Sequence, residues 1–127
     1  MPTSDVAYPA IAARLIAMCH ELMPPFVAKN ESEKGIELYT TKEVTLAGRL
    51  YKEVYFAGVK HQKASVGFYL FLYYIHPELT DTLPAELRKC LKGKTCFHIN
   101  RYDEVLFTQI RETLAANLEE YKRLSIV

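Results

Sequence analysis

Ala64-Ser65-Val66-Gly67-Phe68-Tyr69-Leu70-Phe71-Leu72-Tyr73-Tyr74-Ile75 decides the fold. Residues 64–75 are rich in β-branched and aromatic side chains and read as one long central strand. Val66, Phe68, Leu70, Leu72 and Tyr74 would point one way, and Gly67, Tyr69, Phe71, Tyr73 and Ile75 the other. Both faces are apolar. An antiparallel strand with one wet face alternates instead, so a helix, a partner chain or a ligand is expected to cover the second face.

On the N-terminal side, Gln62-Lys63 stands where a hairpin turn falls, and 51–61 reads as the preceding strand. Gly48 marks a turn and 36–41 a shorter strand. Residues 29–35 are polar and read as a loop, with a short helix across 25–32 as the alternative. Ile11, Leu15, Met18, Cys19 and Leu22 recur at steps of three and four, which puts them on one helix face ahead of Pro24-Pro25.

On the C-terminal side, His76-Pro77 ends the central strand. Short helices are expected over Pro77–Thr82 and 84–91, each opened by proline, then a strand over 95–99. Asp103 starts the last helix, whose stripe is Leu106, Ile110, Leu114, Leu118 and Tyr121. This order is α+β and lacks repeated βαβ units.

The chain has 127 residues, which favours one domain over 1–127. Half of its residues are hydrophobic and 24% charged, which argues against long disorder. Sixteen basic against fifteen acidic side chains leave a net charge of +1. Nucleic-acid-binding domains sit far more basic. No apolar run reaches the roughly 18 residues of a membrane span. Met1-Pro2-Thr3-Ser4-Asp5 lacks the basic and apolar regions of a signal peptide. Three cysteines, Cys19, Cys90 and Cys96, suit reduced thiols in the cytoplasm.

The tyrosines are the most unusual signal. Tyr51, Tyr55, Tyr69, Tyr73 and Tyr74 fall on two adjacent expected strands. Rings with polar tips can line a pocket or an interface, or simply pack a core. Arg88, Lys89, Lys92 and Lys94 surround Gly93 and could present an anion site; the plainer reading is a helix end closed by glycine. Lys42, Arg49, Lys52, Lys60 and Lys63 lie around the same hairpin, where lysine commonly guards strand edges.

Cys96 and His98 would share a strand face. With Cys90 or Cys19-His20 they could ligate a metal, but no paired spacing supports this. A thiol nucleophile at Cys96 would need a base and an orienting group. Asp103, Glu104, Glu112, Glu119 and Glu120 on the last helix could take a hard cation, although Arg111, Lys122 and Arg123 interrupt them.

Val66-Gly67-Phe68-Tyr69, Pro77-Glu78-Leu79 and Leu87-x-x-x-Leu91-x-Gly93-Lys94-x-Cys96-Phe97-x-Ile99 together resemble the bacterial YdhG-like family, a domain of unknown function. The resemblance covers most of the chain and is clearest over 54–124. It implies one cytosolic α+β domain with an antiparallel sheet flanked by N- and C-terminal helices. One branch of that family is frataxin-like, with an iron-chaperone role resting on acidic surface residues. The matching helix here is mixed in charge.

Three expectations follow. The first is a non-enzymatic binding module, with no cofactor, for a small molecule or a protein partner. It would use Tyr55, Tyr69, Phe71 and Tyr73, with Lys92, Gly93 and Lys94 near the rim. The second is a frataxin-like chaperone whose candidate metal ligands are Asp103 and Glu104, with Cys96 and His98. The third is a thiol enzyme on Cys96 and His98. An exposed aromatic face could also join two copies into a homodimer.

Overall fold

The computed structural model describes residues 7–63 and 65–127. The reading of Met1 to Asp5, and Ala64 at the start of the expected central strand, lie outside the described residues. A helix α1 (Ala7–His20) leads into β1 (Val27–Ser32), β2 (Gly35–Tyr39), a small hairpin of β3 (Val44–Leu46) and β4 (Arg49–Tyr51), then β5 (Tyr55–His61) and β6 (Val66–Leu70). There follow α2 (Leu72–Ile75), a 3-10 segment (Pro77–Thr82), α3 (Ala85–Arg88), β7 (Cys96–Ile99) and the long α4 (Glu104–Arg123). The fold is α+β: a five-stranded antiparallel sheet in the order β1-β2-β5-β6-β7, with helices at both ends of the chain.

Three expectations are corrected. The polar stretch 29–35 is neither loop nor helix; most of it belongs to β1 and its turn into β2. The pattern there is almost wholly exposed, because β1 is an edge strand with little to bury. The central strand ends at Leu70, not Ile75, and the chain turns into α2. Leu72 and Tyr73 are therefore buried by a helical turn rather than by a strand face. Residues 84–91 hold only the single turn α3.

One face of the sheet carries the core. Register places Ile36 and Leu38 beside Ala57 and Val59, then Val66, Phe68 and Leu70, then Phe97 and Ile99. All are buried against Ile11, Leu15 and Met18 of α1 and Leu106, Ile110 and Leu114 of α4. A β-bulge interrupts β5: Leu38 pairs with Ala57 and Tyr39 with Tyr55, so Phe56 has no partner on β2. The extra residue reverses the alternation. Phe56 turns into the core, stacked on Phe26 at 4.0 Å and edge-on to Tyr121 at 5.0 Å. Tyr55 turns out to the other face. The Tyr121 hydroxyl donates to the Tyr55 carbonyl at 2.7 Å, tying α4 to this bulge.

The β3–β4 hairpin turns on Ala47 and Gly48, both with positive φ (51° and 77°). That is the geometry of a two-residue type I′ turn, which matches strand twist.

Asp103 caps α4, accepting from the Val105 and Leu106 backbone amides at 2.9 and 3.3 Å. Arg14 grips Glu104 through both terminal guanidinium nitrogens, at 2.7 and 3.0 Å. The Arg101 guanidinium and the helix amides hold the Asp103 carboxyl below its ordinary value; Arg14 does the same for Glu104. A depressed folded-state pKa gives stability that is present above the ordinary carboxylate range and lost as pH falls through the lowered values. The urea midpoint of the native protein is therefore expected to fall between about pH 5 and pH 2, and the fall is shallower in Asp103→Asn. Equal slopes in the two proteins would remove Asp103 from the account.

Candidate functional site

The second sheet face is open to solvent, and register decides what stands on it. Glu37, Gly58, Tyr69 and Cys96 form one cross-strand row, and Gly35, Lys60, Gly67 and His98 the next. Three of these eight positions are glycine. Glycine within strands marks a place where something approaches the backbone closely. At Gly58 and Gly67 that something is the chain's own tyrosine, and at Gly35 it is the Val59 carbonyl. A methyl group at Gly58 would lie 1.7 Å from the Tyr55 hydroxyl, and one at Gly67 would lie 2.8 Å from the Tyr69 hydroxyl. The hydroxyl end of each ring therefore reaches over bare backbone.

The result is a groove of about 790 Å³, within the range of small-molecule sites. Tyr39, Tyr55, Tyr69 and Phe71 supply its aromatic wall. Tyr39 and Tyr55 lie 5.3 Å apart between centroids, Tyr55 and Phe71 6.3 Å, and Phe71 stacks on Tyr74 at 5.3 Å. Burial raises the phenol pKa of Tyr55, helped by the charge of Glu37, and also that of Tyr39. Tyr69 is raised by burial and by the adjacent Cys96 thiol. All three phenols therefore stay neutral at ordinary pH and can act as hydrogen-bond donors. Glu37 Oε1 is held by the Asn30 amide at 2.5 Å. Lys34 and Lys60 also line the groove and make no ion pair among the described residues. The lining thus carries two cations against one carboxylate.

Of the residues expected at this site, Tyr55, Tyr69 and Phe71 are brought together. Tyr73 is not. The turn into α2 takes it through to the core side, where burial pushes its phenol up to about 12 and its hydroxyl donates to Asn117 Oδ1 at 3.0 Å. Lys92, Gly93 and Lys94 form an exposed turn before β7, closed by the Lys92 amide donating to the Cys96 carbonyl at 2.7 Å. They do not line the groove, and the positive φ of Gly93 (92°) accounts for the glycine. Glu37, Tyr39 and Lys34 went unread in the sequence, although Gly35, Gly58 and Gly67 signalled a close approach to these strands.

Cys96 and His98 do share the open face, with pairing partners Tyr69 and Gly67. No hydrogen bond joins them among the described residues, and no third group orients the imidazole. Burial pushes the Cys19 thiol up to about 12 and raises Cys90 as well. Asp103 and Glu104 are engaged by Arg101, Arg14 and the start of α4. Among the described residues, no three His, Cys, Asp or Glu side chains gather as a metal site.

A second cleft, of about 330 Å³, lies on the opposite side, between α4 and the 3-10 segment. Thr113 and Asn117 line it, and the Thr113 Oγ1 and Asn117 Nδ2 atoms are buried without a hydrogen-bond partner. Leaving such a group unpaired costs about 1–3 kcal/mol.

No family model, no curated protein and no solved structure matches the chain.

Proposed function

We propose that the protein is a non-enzymatic cytoplasmic binding module whose open sheet face takes a small planar aromatic anion. The observation that carries this reading is the pair of tyrosines whose hydroxyl ends close over glycine on the open face. They make an aromatic bed beside which a second planar group can stack. Lys34 and Lys60 outnumber Glu37 and favour a negative charge on that ligand. The neutral phenols supply hydrogen bonds without repelling it. The order of sequence pieces similar to the YdhG-like family belongs to the same proposal; the iron-chaperone role of one branch is set aside, because Asp103 and Glu104 are engaged by Arg101 and Arg14.

The test is a titration of 1-naphthoate into isotopically labelled protein, followed by NMR. Saturable shifts are expected at Gly58, Gly67, Tyr39 and Tyr69. Binding should weaken when Lys34 and Lys60 are both changed to glutamine. Absence of shifts on this face at millimolar naphthoate overturns the proposal. So does a homodimer in sedimentation that buries the same residues.

A further inference from the structure

We propose that the cleft between α4 and the 3-10 segment is a separate binding site, and that it takes a small organic cation carrying a carbonyl or amide group, as an amino-acid amide does. The proposal is independent of the groove on the open sheet face.

The cleft's size, about 330 Å³, falls at the lower end for small-molecule sites. Its apolar wall comes from Leu72, Leu79 and Leu83. Two polar residues of α4, one turn apart, interrupt that wall. Thr113 is 4% exposed and Asn117 is 2% exposed. The Tyr73 hydroxyl satisfies Asn117 Oδ1, but Asn117 Nδ2 and Thr113 Oγ1 have no partner. Buried polar atoms are nearly always paired, and an exception calls for a missing partner. Nδ2 can only donate, so the partner must present an acceptor. A carbonyl oxygen meets that demand, and the Thr113 hydroxyl can turn toward the same atom or toward an amide N–H.

Charge fixes the other end of the ligand. Glu112 and Glu120 stand on the cleft lining, and no lysine or arginine does. Glu120 is paired with Arg123, whereas Glu112 makes no ion pair among the described residues. The lining is therefore negative, which attracts an ammonium group and repels a carboxylate. Leucinamide combines an ammonium, an amide and an apolar side chain in a molecule of this size.

Thr113 Oγ1 and Asn117 Nδ2 are shielded from solvent, so a ligand reaches them only when the cleft lining shifts. Facing α4, that lining includes Leu79 and Thr82 of the 3-10 segment, followed by Leu83. The segment contains no buried residue. Its backbone bonds are short-range, Leu79 N–H to the His76 carbonyl at 3.1 Å and Leu83 N–H to the Thr80 carbonyl at 3.2 Å, and its tie to α3 is the exposed Asp81–Arg88 pair. Segments with few buried contacts open most readily.

The experiment is an NMR titration of the whole protein with leucinamide, reading the Asn117 side-chain amide. Saturable shifts there are expected, with weaker binding of 4-methylpentanamide, which lacks the ammonium, and of leucine, which carries a carboxylate in place of the amide. Glu112→Gln, at an exposed position, should weaken leucinamide about two- to five-fold, the size of a surface ion pair. Ala116→Phe, also exposed, should block the cleft without disturbing the core. The proposal is overturned if leucine binds as well as leucinamide, or if Ala116→Phe leaves binding unchanged. It is equally overturned if the Asn117 amide does not move, which would make a trapped water the missing partner.

Discussion

Phe56→Ala is expected to lower the free energy of unfolding by about 3–5 kcal/mol, the cost of truncating a fully buried aromatic side chain. Phe56 is 1% exposed and closes a three-ring cluster with Phe26 and Tyr121. Neither neighbour can collapse into the space. Phe26 follows the proline pair that ends the α1 region, and Tyr121 is tethered through its hydroxyl to the Tyr55 carbonyl. Domains of this size commonly have only about 5–15 kcal/mol in total. For a total of about 10 kcal/mol, the midpoint of chemical denaturation should drop by about a third to a half. Phe56→Leu keeps most of the apolar area and should cost about 1–1.5 kcal/mol. If both variants lost the same small amount, the bulge would not be a packing centre, and its role in turning Tyr55 outward would need another support.

Gly58→Ala is expected to leave the fold standing and weaken naphthoate about ten-fold or more, equivalent to about 1.4 kcal/mol. The added methyl occupies the place of the Tyr55 hydroxyl, 1.7 Å away, with the ring's Cζ at 2.9 Å. The ring is the end of a side chain and can swing aside, but the aromatic bed goes with it. Tyr55→Phe removes the nearest clashing atom. The double variant Gly58→Ala, Tyr55→Phe should therefore bind more tightly than Gly58→Ala alone. That non-additivity is the signature of direct contact. Additive losses would mean that the ring and the glycine act separately.

Much of the fold was legible because periodicity survives in the sequence. The stripe of α1 and that of α4 need no partner to be recognised, and Asp103 is a cap by residue type and position. The central strand was overextended for a definite reason. Apolar residues continue from Val66 to Ile75, and nothing in Phe71-Leu72-Tyr73-Tyr74 distinguishes a doubly buried strand from a buried helical turn. The sequence hides β1 because Lys29, Asn30, Glu31 and Ser32 bury nothing. Strand identity there is set by pairing with β2, which is not a local property. Three of the four aromatics on the groove wall, Tyr55, Tyr69 and Phe71, are legible in the sequence, and the rest depends on register. The bulge at Phe56 decides which way Tyr55 faces, and a bulge leaves no trace in composition. Their polarity disguises Thr113 and Asn117 as surface residues, although they fall at helical spacing on the stripe of Leu106, Ile110 and Tyr121.

The two borders of the sheet have a bearing on how the protein behaves when crowded. Along β1, pairing slips between Lys29 and Ser32, and Asn30 takes a positive φ of 52°. Beyond β7, Leu91 bridges to Phe97, and the His98 amide is spent on the Cys90 carbonyl. Neither margin offers the long run of free donors and acceptors on which a strand from another molecule could template itself. Growth into cross-β fibrils by strand addition is thereby discouraged at both ends. Concentrated samples that do associate should do so through the aromatic face and dissolve again on dilution, without seeding.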